Sequence, residues 1–167
     1  MSKEFKDTFD EDKTWHRPDG KLMTYKEVLD EIVSYLKIDG AKVYVGSDSM
    51  LSNFGCTFAT TICMHFNKGQ VAKYYFQKER DKTLVYFDLQ LKISREVNNA
   101  ILLANSILKN IPEAQNRIEI HADVGISKRS ETRKFVDFIN GWVKGVGFEC
   151  RVKPEAWASS IADWHTK

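Results

Sequence analysis

Four acidic residues, far apart along the chain, lie against apolar segments. Asp48 stands between Ser47 and Ser49 at the end of the run AKVYVGS, and Asp123 follows Ile118, Ile120 and Ala122. Glu96 shares its segment with Val97, Ile101 and Leu108 at helical spacing, which sets it near a buried face. Asp163 closes the short stretch WASSIAD. Gathered without a cation, such a group would repel itself and push at least one pKa upward. Mg²⁺ is the natural counterpart, a hard cation that takes carboxylate and water oxygens at about 2.0–2.1 Å. Two such ions about 3.5–4 Å apart can activate a water and stabilise the leaving oxygen of an in-line phosphodiester cleavage. Three of these acids also have a plainer role open to them: a loop or capping aspartate at Asp48, a solvated helix carboxylate at Glu96, a cap or ion pair at Asp163.

The order of elements determines which of these acids meet. Residues 1–23 hold the turn signal Arg17-Pro18-Asp19-Gly20 and few periodic apolar residues, and read as a loose arm. A single domain is expected over 24–167. Thr24 and Glu27 form a capping box, and Val28, Ile32, Tyr35 and Leu36 predict a helix from Tyr25 to about Lys37. Ala41–Ser47 predicts a doubly covered central strand, with Asp48 just past its end. Cys56–Phe66 and Gln70–Gln77, joined by Asn67-Lys68-Gly69, complete an antiparallel meander. A long helix over 84–109 follows, then a strand at Arg117–Val124, a helix from Lys128 to Val143, a strand at Phe148–Val152 and a closing helix from Trp157 to Trp164. The expected fold is an α/β five-stranded mixed sheet, three strands antiparallel and two parallel, with helices on both faces. The crossovers set the Asp123 strand beside the first strand and parallel to it. Ligands in such sheets bind at the carboxyl ends of the strands, where Asp48 and Asp123 converge.

Bulk properties narrow the classes. A chain of 167 residues, 43% hydrophobic and 12% aromatic, has ample material for one core. A net charge of +2 supplies no global field for nucleic acid, so any such contact is local. Cys56, Cys63 and Cys150 show no C-x-x-C spacing, which argues against a disulfide framework or zinc knuckle and for buried free thiols. The polar N-terminus of mixed charge is neither a signal nor a transit peptide, and no apolar run reaches the ~18 residues of a membrane span. A soluble, cytoplasmic protein without a membrane partner is expected.

Taken together, VYVGSDS on the first strand, SREVNNAILLA on the long helix, IEIHADVG on the fourth strand and ASSIADW at the end resemble the ribonuclease H-like superfamily. More narrowly the chain resembles the YkuK-type ribonuclease H-like family, over about Ala41–Lys167 and including the leading helix. The resemblance implies that Asp48 is the central metal ligand, that Glu96, Asp123 and Asp163 complete the shell, and that all four are catalytic. It implies Mg²⁺ or Mn²⁺ as cofactor and nucleic acid as partner, with RNA or an RNA–DNA hybrid favoured. The expected activity is a two-metal nuclease acting on RNA or structured nucleic acid. The alternative is a noncatalytic module of the same fold that binds nucleic acid or protein. A nucleotide-dependent enzyme is disfavoured, because no G-x-x-x-x-G-K loop is present.

Further residues have two readings. His121 shares a strand face with Asp123 and suits either a phosphate contact or a structural hydrogen bond. His165 follows Asp163 closely and suits the site or a frayed end. Lys128, Arg129, Arg133 and Lys134, and separately Lys78, Arg80 and Lys82, suit phosphate contacts or solvated faces. Trp142, Trp157 and Trp164 suit core or rim packing better than base stacking.

Overall fold

Thr24 opens the first helix as its sequence requires, its hydroxyl accepting the Glu27 backbone N–H at 3.1 Å. The computed structural model describes residues 7–66, 70–125, 127 and 129–167, with the side chains of residues 66 and 70–72 excepted. The Asn67-Lys68-Gly69 connection and Lys128 lie outside them. Helix α1 (Tyr25–Leu36) turns Val28, Ile32, Tyr35 and Leu36 into the core.

Ahead of it, the stretch read as a loose arm instead adds two short strands, β1 (Trp15–His16) and β2 (Leu22–Met23). They pair with each other across the Pro18-Asp19 turn. The cause is Trp15, which is fully buried and stacked on Tyr25 with ring centroids 6.3 Å apart. Burying an indole contributes on the order of 4 kcal/mol by area, enough to hold the segment down.

The meander consists of β3 (Val43–Ser52), β4 (Gly55–Phe66) and β5 (Gln70–Asp81). β6 (Ile118–Gly125) runs parallel beside β3, and β7 (Glu149–Lys153) parallel beside β6. The seven-stranded order is β2-β1-β5-β4-β3-β6-β7, with two strands more than expected because β1 pairs with β5 through His16 and Phe76. β3 also outruns its expected end. It pairs with β4 without a break from Val43 to Ser52, so Asp48 lies inside the strand opposite Ala59.

Two corrections concern the helices. α2 (Leu89–Asn110) starts after a single 3-10 turn, where the Asp88 side chain caps the Leu91 N–H at 3.1 Å. α3 (Val136–Gly145) starts later than the expected Lys128. The Thr132 hydroxyl accepts the Gly125 N–H at 2.9 Å and meets the Ser130 hydroxyl at 2.8 Å, which holds that stretch as a turn. α4 (Trp157–Asp163) is short. Trp142 and Trp157 pack half-buried, whereas Trp164 is 64% exposed rather than packed. All three cysteines are free, with Cys56 and Cys63 buried.

Strand alternation divides the side chains between the two faces. Val43, Val45, Ile118, Ile120 and Ala122 pack with residues of α1, α2 and α3 in the main core. Tyr44, Cys63 and Tyr74 face the other way and pack against Trp157, Ala158 and Ile161 of α4. Gly46 permits this approach, since a Cβ there would lie 2.3 Å from the Ala158 carbonyl carbon. No helix among the described residues is long and apolar enough to cross a membrane.

Candidate active site

Alternation along β3 and β6 decides where the acids emerge. On β6, Ile118, Ile120 and Ala122 take the main core, which leaves Glu119, His121 and Asp123 on the α4 face. On β3, Asp48 shares the α4 face with Tyr44 and Gly46. The parallel ladder pairs Ser47 with Ala122, and the next residue on each strand is Asp48 and Asp123. Their carboxyl groups come within hydrogen-bonding range. Asp48 is only 5% exposed, and its pKa is pushed up to about 9 by burial first and then by the charges of Glu96 and Asp123.

Glu96 approaches from α2, on the opposite side of the sheet. It is buried, and one of its oxygens accepts from both the Ser49 hydroxyl and Lys92 Nζ, the latter at 3.1 Å. Burial raises its pKa against the opposing effect of Lys92. Asp123 carries an ammonium of its own, with Lys153 Nζ 2.5 Å from its Oδ1. Sequence reasoning missed both lysines. The i, i+4 spacing of Lys92 and Glu96 was a readable signal, whereas the contact of Lys153 on β7 with Asp123 on β6 had none.

Asp163 ends α4, the helix on the same sheet face as Asp48 and Asp123. Among the described residues its carboxylate makes no hydrogen bond or ion pair. Three of the four acids thus feel one another's charge, and the fourth stands apart. Among the described residues no three His, Cys, Asp or Glu side chains are grouped tightly enough to hold a metal ion as arranged.

His121 has a structural task. Its Nδ1 accepts the Ala158 backbone N–H at 3.0 Å, so Nε2 carries the proton and donates it to Glu119 Oε1 at 2.9 Å. Glu119 also accepts from Arg151 Nε at 3.1 Å. Burial alone would raise the Glu119 pKa, but the His121 hydrogen bond together with the Arg151 guanidinium holds it down at about 2. This clasp ties the start of α4 to β6. His165 stacks on Phe76 with centroids 3.6 Å apart, and its Nε2 lies 3.0 Å from the Tyr74 hydroxyl, which anchors the segment after α4 over β5.

The basic groups divide. Lys78 and Arg80 are exposed on β5, on the same sheet face as Tyr74. Asp48, Ala59 and Lys78 form one transverse row, so two strand spacings, roughly 10 Å, separate Lys78 from Asp48. Arg129, Arg133 and Lys134 are exposed in the segment after β6.

A meander continued by parallel strands, with one short helix against the face that presents the aspartates, defines an α/β protein of the ribonuclease H type. The family model for ribonuclease H-like proteins matches residues 26–167, and the chain belongs to that family. Searches of curated proteins and of solved structures return no match. The match begins after β1 and β2.

Proposed function

We propose that the protein is a divalent-metal-dependent nuclease that hydrolyses phosphodiester bonds in RNA or structured nucleic acid. The observation that carries this reading is the Asp48–Asp123 pair, a buried carboxyl pressed against a second one on the sheet face that also bears Lys78 and Arg80. Carboxyls confined in this way are stabilised by a hard cation.

The donor chemistry fits Mg²⁺ or Mn²⁺. Asp48 and Asp123 would be the principal ligands, Glu96 would complete the shell from α2, and Asp163 would join from the end of α4 once a cation draws it in. When bound, the metal supplies Lewis-acid activation of a water and charge stabilisation at the phosphate. The chain's own part is to orient these oxygens from four separate elements and to hold the nucleic-acid backbone along β5 through Lys78 and Arg80. RNA or an RNA–DNA hybrid is the favoured substrate class.

The test is incubation of purified protein with labelled hybrid, double-stranded RNA, single strands and branched DNA, with and without Mn²⁺. Cleavage that Asp48→Asn abolishes is expected. A second reading, a noncatalytic module that binds nucleic acid or protein, draws on the isolation of Asp163 and the lysine already seated on Asp123. Binding of the same substrates without metal-dependent cleavage would establish it.

A further inference from the structure

The ammonium groups around the carboxylates bear on how many ions the site can take. Lys153 Nζ lies 2.5 Å from Asp123 Oδ1, and Lys92 Nζ lies 3.1 Å from Glu96 Oε1. The two lysines come from different elements, β7 and α2, and each sits on a different carboxylate. The Glu96 oxygen that takes Lys92 also takes the Ser49 hydroxyl, so half of that carboxylate is occupied. Asp48 faces Asp123, and among the described residues no lysine forms an ion pair with Asp48.

We propose that Lys153, supported by Lys92, stands in for one of the two cations that such a nuclease site would otherwise hold, so that this protein binds a single divalent ion between Asp48 and Asp123. The inference rests on the metal-dependent reading given above. Charge balance supports it. Asp48, Glu96, Asp123 and the recruited Asp163 against Lys92 and Lys153 leave two negative charges, which one divalent ion balances. A second ion would add two positive charges beside a buried sheet, of which one substrate phosphate offsets only one. An ammonium so close to Asp123 also repels any cation that approaches the same oxygen. The Lys153 side chain is half-exposed, so its replacement leaves the core intact.

The experiment is calorimetric titration of the metal-free protein with Mn²⁺, with Mn²⁺-dependent thermal shift as a parallel readout. Wild type, Lys153→Met, Lys153→Arg and Asp48→Asn are compared. Wild type is expected to take one ion per chain. Lys153→Met is expected either to take two or to bind the first about tenfold more tightly. Lys153→Arg, which keeps the charge, should behave as wild type, and Asp48→Asn should lose binding. Two ions bound by wild type, or a Lys153→Met titration identical to wild type, would overturn the lysine's role while leaving the metal-dependent nuclease standing. No Mn²⁺ binding by wild type or Lys153→Met would overturn both.

Discussion

Asp48 and Asp123 are the first residues beyond the last rung of the parallel β3–β6 ladder, and their carboxyl groups share hydrogen-bonding distance on one face of the sheet. The Lys153 ammonium sits on Asp123, whereas Asp48 is buried against the charges of Glu96 and Asp123, so in the metal-free protein Asp48 keeps its proton up to about pH 9.

The stability consequence has a definite sign. Asp48 titrates near 3.8 when unfolded and at about 9 when folded, so between these values folding must take up a proton. Stability therefore falls as pH rises through that window, by at most about 1.4 kcal/mol per pH unit from this group. Asp48→Asn removes the requirement. In chelator, the variant should be more stable than wild type at pH 8, by on the order of 1–4 kcal/mol, and nearly equal at pH 4. Urea denaturation at the two values checks this, and an equal loss from pH 4 to pH 8 in both proteins would locate the effect elsewhere.

Glu119 behaves in the opposite sense. Its folded pKa of about 2 lies below the ordinary 4.5, so the stability it confers is complete above about 4.5 and disappears as pH falls toward 2. The difference corresponds to about 3 kcal/mol. Glu119→Gln should flatten the acid limb of the stability curve. Because His121 carries this clasp on to Ala158, His121→Ala should also loosen α4. Hydrogen exchange at α4 amides is the direct measurement, with protection in α1 unchanged.

Gly46 offers a sharper test of how α4 is seated. An added methyl would meet backbone atoms of Ala158 and Ser159 at 2.3–2.5 Å, and backbone cannot swing aside as a side chain can. Gly46→Ala should cost about 2–4 kcal/mol or displace α4 outright. If α4 docks more loosely than the structure indicates, thermal unfolding of the variant will match wild type.

These relationships were unequally legible in the sequence. The helix of Thr24, the meander and the parallel β6 followed from periodicity and turn residues. Asp48 and Asp123 were brought together by topology alone. The arm was misread because a two-residue strand such as Trp15–His16 has no period to detect, and because the burial of Trp15 depends on Tyr25 from another element. β3 was cut short at Ser47 because polar residues follow, although Ser49 and Asp48 are satisfied there by Glu96 and Asp123. Lys153 was invisible for a different reason. Its partner lies 30 positions earlier on a neighbouring strand, and nothing local marks a lysine at the end of β7 as an ion-pair donor.

The last prediction concerns the substrate. Lys78 and Arg80 are exposed at alternate positions of β5, so both side chains rise from the face that carries Asp48. Lys78 already reaches the Lys167 backbone carbonyl at 3.4 Å, a contact that a phosphate oxygen would readily replace. A phosphate backbone running along β5 would be held by charge and not by base identity. Lys78→Ala and Arg80→Ala should therefore weaken binding to all sequences alike and lower the slope of log affinity against log salt by about one each. Binding is best measured with Asp48→Asn protein in chelator, so that cleavage and metal do not intervene. A salt slope unchanged by both substitutions would move the interface to Arg129, Arg133 and Lys134, on the other flank of Asp123.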